Sequence, residues 1–112
     1  MKKFLVLYMA SPEAFQRMMS ATPEQQRTGM DAWMSWMKKH RDAIADGGAP
    51  LGKAMRVDAG GQSDTKNSLG GYSIVQADSL AVAGKVFDRT HPHLQMPGAW
   101  IEITEIRALP EM

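Results

Sequence analysis

The chain has 112 residues, enough for one domain (1–112) with a substantial core and too few for two. Thirteen basic side chains against twelve acidic ones leave a net charge of +1, so the sequence carries no electrostatic footprint for nucleic acid or an anionic membrane. Cysteine is absent, which removes disulfides, thiol nucleophiles and zinc–thiolate sites together.

Residues 3–9 read as a first strand. Phe4, Val6 and Tyr8 point to one face and Leu5, Leu7 and Met9 to the other, as suits a central strand covered on both sides. Lys2-Lys3 followed by this apolar run also fits the start of a secretion signal. The run is short, however, and meets Ser11-Pro12 with no small-x-small cleavage site. No membrane-length apolar run occurs anywhere, so no membrane span is expected and the compartment is taken to be the cytoplasm.

Glu13 to Ser20 fits a short helical turn. Thr22-Pro23-Glu24-Gln25 then starts a longer helix: Thr22 caps, Pro23 fits the first helical position, and Gln25 stands three residues after the cap. The spacing predicts a helix over 23–46 with one apolar stripe of Met30, Trp33, Met34, Met37 and Ile44, ended by Gly47-Gly48. A second strand is predicted at 52–58, then a polar loop through Ser68, a third strand at 71–77, a helix from Asp78 or Ser79 to about 88, and a last strand at 100–107. The order β-α-β-β-α-β is the ferredoxin-like arrangement of the α+β class, a four-stranded antiparallel sheet with helices on one face. A first strand apolar on both sides leaves the other face to be covered, and a homodimer through the sheet face is the simplest cover.

The stretch Asp64-Thr65-Lys66, then Leu69-Gly70-Gly71-Tyr72 before a strand, resembles the YCII-related family, which includes the DGPF-type domains. Ile44 to Leu51 is similar to that family's turn into strand two, and Gly98 to Glu105 to its last strand. Ala59-Gly60-Gly61-Gln62 stands where the D-G-P-F core would be. The early helix-one histidine of the narrower YCII branch has no counterpart among Met30, Asp31 and Trp33. The resemblance implies a ferredoxin-like fold and a dimeric α+β barrel, and it implies no reaction.

His91-Pro92-His93 is the sharpest chemical feature. In an extended segment the two imidazoles share a side, so one can serve as a general base near neutral pH, or both can chelate a metal with Asp88 or Glu102. The plainer reading is a loop histidine at a helix end. With so few ligands at hand the reading assigns no metal, and the pair is expected at the rim of a cavity. Asp64 and Lys66 are candidate ligand-binding residues, a carboxylate and an ammonium beside a glycine-rich turn, or else simply a solvated loop. Tyr72 is a candidate orienting group, or core. Trp36 lies off the apolar stripe and is a candidate pocket mouth or interface, with His40 one turn on to stack against it. Met30, Met34 and Met37 with Trp33 fit an apolar ligand pocket or ordinary core.

No nucleotide, dinucleotide or zinc-protease motif is present, and no cofactor is assigned. Two functions stay open. One is a small enzyme (isomerase, lyase or cofactor-independent oxygenase) acting on a small organic molecule through His91 or His93. The other is a non-catalytic small-ligand-binding or regulatory dimer.

Overall fold

The computed structural model describes residues 1–110. Its elements are β1 (Lys2–Ala10), α1 (Pro12–Met19), α2 (Pro23–Lys39), β2 (Ile44–Pro50), β3 (Ala54–Asp58), β4 (Gly61–Thr65), β5 (Leu69–Ala77), α3 (Leu80–Lys85), a 3-10 turn (Pro92–Gln95) and β6 (Ala99–Glu105). β2, β5, β1 and β6 form one four-stranded sheet in that order, antiparallel throughout, with β1 and β5 at the centre. This is the expected ferredoxin-like topology.

The alternation in β1 works as the sequence suggests. Phe4, Val6, Tyr8 and Ala10 are buried on the helix-bearing face, joined there by Ser73, Val75 and Ala77 of β5. Trp33, Phe87, Ile101 and Ile103 pack against this core. Leu5, Leu7 and Met9 take the other face, where they stay half-exposed beside Tyr72 and Ile74. Among the described residues no helix is long and apolar enough to cross a membrane.

Two elements differ from expectation. α2 begins as predicted: the Thr22 hydroxyl accepts from the Gln25 amide at 3.1 Å, and the Gln25 side chain accepts from the Thr22 amide at 2.9 Å. It ends at Lys39, not 46, and the second strand of the sheet, at its edge, is Ile44–Pro50 rather than 52–58. Gly47-Gly48 is therefore not a helix cap. Gly48 has φ +72°, and a Cβ there would stand 1.7 Å from the Tyr72 carbonyl oxygen, so the glycine lets β2 lie against β5. Residues 54–58 instead pair with 61–65 in a separate hairpin, turning where the Asp58 carboxylate accepts from the Gly60 amide at 2.8 Å.

The second difference is the rotation of α2. Met30 and Met34 are each 61% exposed, so neither is core nor lines a pocket between helix and sheet. The inward stripe is Trp33, Trp36, Met37 and His40. Two indoles bury more apolar area than two thioethers, and they set the helix's orientation.

Candidate functional site

The segment after α3 is held by its own polar groups. Asp88 accepts from the amide and hydroxyl of Thr90. Gln95 donates to the carbonyls of Arg89 at 2.7 Å and His91 at 3.1 Å. Pro92 then occupies the first position of the 3-10 turn, and His91 caps it: its Nδ1 accepts from the His93 amide at 3.0 Å.

This cap places His91 entirely inside the protein, with no exposed surface. Its ring stacks on Tyr8 with centroids 5.6 Å apart and planes 19° from parallel. Trp33 and Trp36 stand nearly perpendicular to it at 4.8 Å and 4.5 Å, and Phe87 is at 5.5 Å. Burial among these rings, with a smaller contribution from His93, pushes the His91 pKa down to about 4. The imidazole is thus neutral at physiological pH. Since Nδ1 accepts a hydrogen bond, the proton sits on Nε2, and Nε2 has no partner.

His93 is also buried, at 6% exposure. Its Nε2 lies 2.8 Å from the Met9 carbonyl oxygen. A carbonyl only accepts, so Nε2 carries a proton; that leaves Nδ1 as the nitrogen on which a lone pair can be offered. The two histidines are thus both protonated at Nε2 but are held by opposite ends. His91 has a spare donor, and His93 a spare acceptor. Both rings lie against Tyr8, with His93 at 5.5 Å, and Tyr8 is fixed by a 2.8 Å bond between its hydroxyl and that of Ser73. Burial raises the Tyr8 pKa, so the phenol stays protonated.

Of the residues singled out from sequence, His91, His93 and Trp36 meet in one cluster, and the His40 ring lies tilted by 39° beside Trp36 at 5.0 Å. His91 lies inside the fold, not at the rim of a cavity. Asp64 is exposed on β4, and Lys66 is exposed in the link to β5. Tyr72 stands on the sheet face opposite Ser73 and Tyr8. These three do not join the histidines. Trp33, expected in a pocket or core, joins them, and Tyr8, Ser73 and Phe87 complete the cluster unannounced. The legible signal was Tyr8, a tyrosine on a buried strand face whose hydroxyl must find a partner. Among the described residues no three histidine, aspartate or glutamate side chains group as metal ligands. Two open surface depressions, about 530 Å³ beside Lys2 and Arg107 and about 330 Å³ beside Met34 and Lys38, are lined by none of these residues.

No family model and no curated protein matches this chain. Among solved structures it is similar to 5-chloro-2-hydroxyhydroquinone dehydrochlorinase (TftG) from Burkholderia phenoliruptrix AC1100, in complex with 2,5-dihydroxybenzoquinone. The TM-score is 0.51 at 16% identity, over 89% of this chain and 90% of that one. At that identity the likeness establishes the α+β fold alone.

Proposed function

We propose that this chain is a small enzyme that moves a proton on a small organic molecule, with the His93 Nδ1 as base and the His91 Nε2–H as hydrogen-bond donor to the substrate oxygen. The observation that carries this reading is the spare donor on a fully buried imidazole. A purely structural cap accounts for the bond to His91 Nδ1, but it leaves a buried Nε2–H with no acceptor, a cost of about 1–3 kcal/mol. A substrate carbonyl or enolate oxygen would remove that cost. The base role passes from His91 to His93, because the Nδ1 lone pair of His91 is already engaged and its pKa is too low.

The same reading places the chain among YCII-related homodimers. Its support is the half-exposed face of Leu5, Leu7, Met9, Tyr72 and Ile74, and the Gly70-Gly71-Tyr72 stretch. There a Cβ on Gly70 would come within 3.2 Å of Phe15 and of the Tyr8 carbonyl oxygen. The solved neighbour acts on a hydroxylated ring, so hydroxylated ring ketones are the first compounds to test.

The test is deuterium incorporation at carbon adjacent to carbonyl in such a panel, followed by NMR in D2O. His93→Gln should lose about 10²–10⁴-fold, the usual contribution of a positioned base. His91→Phe should lose about 10²–10³-fold, as for one oxyanion donor. Exchange no faster with the natural chain than with His93→Gln, alongside retained binding, would favour the non-catalytic binding dimer instead.

A further inference from the structure

We infer that helix α2 is the plug of this site, and that the ligand is a neutral, planar, indole-sized ring system bearing a carbonyl-type oxygen, which takes the place of Trp33 and Trp36. The inference rests on the proposed His91–His93 site and adds to it what enters and what must leave.

Three observations lead there. First, α2 is held unevenly. None of its 17 residues is buried, Pro23 to Ala32 are all exposed, and only Trp33, Trp36 and Met37, with the capping His40, reach the body of the protein. Its C-terminal end is anchored where the amide and side chain of Gln76 donate to the carbonyls of Ala43 and Asp42, at 2.8 Å and 3.1 Å. The helix can pivot on that anchor by releasing one aromatic patch, without breaking a sheet bond or exposing a fully buried side chain of its own.

Second, what lies under that patch is the proposed site. Trp33 covers both Tyr8 and His91, at 4.7 Å and 4.8 Å, and Trp36 covers His91 and Phe87, at 4.5 Å and 5.1 Å. The space next to the reactive imidazole is thus filled by two indoles of the chain itself. Perpendicular rings allow an aromatic face to serve as a weak acceptor for an N–H, which lets the closed state persist without a true partner.

Third, the chemistry of the walls selects the ligand. Tyr8, Phe87 and the indoles offer flat apolar surface. Aromatic walls alone would also suit a cation. The unpartnered polar atom is a donor, however, and a donor repels a cation and rewards an acceptor oxygen. The Asp88 carboxylate acts electrostatically on His91, so an anionic ligand there would meet a like charge and a neutral acceptor is favoured.

The test pairs 1-indanone, an indole-sized ring system with one carbonyl oxygen, with indane, which lacks it. Binding is measured by equilibrium dialysis. Trp36→Ala should bind 1-indanone at least tenfold more tightly than the natural chain, and His91→Phe should erase the preference for 1-indanone over indane. A second measurement leaves α2 intact. In the Trp100→Phe background only Trp33 and Trp36 emit, and saturating 1-indanone should make both more accessible to acrylamide quenching. If the preference depends on His91 while Trp36→Ala gains nothing and the indoles stay shielded, the plug is refuted and the site stands. If the preference survives His91→Phe, or neither the natural chain nor Trp36→Ala binds 1-indanone, the site reading falls and the plug with it.

Discussion

His91 cannot gain a second ring proton without disturbing the bond it accepts from the His93 amide, and burial outweighs the attraction of the Asp88 carboxylate. The unfolded chain takes up that proton near the ordinary histidine value of about 6.5, the folded chain only near 4. Between those values the unfolded state binds more protons, so this contribution to stability is full above about pH 6.5 and is lost as the pH falls toward 4. Urea unfolding of the natural chain and of His91→Phe should show the natural chain losing on the order of 2 kcal/mol more than the variant across that window. Parallel curves would mean that His91 is not held neutral by burial. The histidine pair was legible as a pair because the residues stand two apart. Their division of labour was not. It depends on Pro92 starting a 3-10 turn, which directs one ring at the turn's own amide and the other at a carbonyl of β1. Tyr8 and Trp33 join from distant parts of the chain, contacts that local spacing does not encode.

β2 and α2 show where local patterns mislead. Ile44 to Pro50 carries two glycines and little β-branching, so it resembles a helix end more than a strand. It is a strand because β5 supplies its ladder, with two register shifts along the way. Gly48→Ala separates the two readings. Beyond a helix cap the change would cost about 1 kcal/mol; against the Tyr72 carbonyl oxygen and at φ +72° it should cost at least about 2 kcal/mol in urea unfolding. Gly52→Ala, with open space around it, is the control and should change little. The α2 stripe makes a similar contrast. Trp33→Ala should destabilise by about 3 kcal/mol, Met34→Ala by less than about 0.5. Equal losses would restore Met34 to the inward stripe beside Trp33 and Met37.

The whole chain is more extended than its length requires. Its Cα radius of gyration is 15.7 Å, against roughly 13 Å for a compact domain of this size. The β3–β4 hairpin stands apart from the main sheet, with Met55 57% and Val57 69% exposed, and the open sheet face leaves a row of apolar side chains half-covered. A second copy closing on that face would cover the row. Sedimentation should therefore report about twice the 12.4 kDa chain mass, and Leu7→Lys should return the monomer with its circular dichroism intact. A natural chain that sediments as a monomer at micromolar concentration would remove the dimer from the account. The topology was legible from the order of elements. The hairpin was not, since its pairing depends on a turn within a stretch that reads as a polar loop.

The central claim is that His91 and His93 are both protonated at Nε2 and are held by opposite ends. With three histidines in the chain, long-range proton–nitrogen correlation NMR can follow each ring separately. At pH 7 His91 should show Nε2 protonated and Nδ1 bare, holding that state on acidification until near pH 4, and His93 should carry a proton on Nε2. A His91 ring with its proton on Nδ1, or charged at pH 6, would contradict the account.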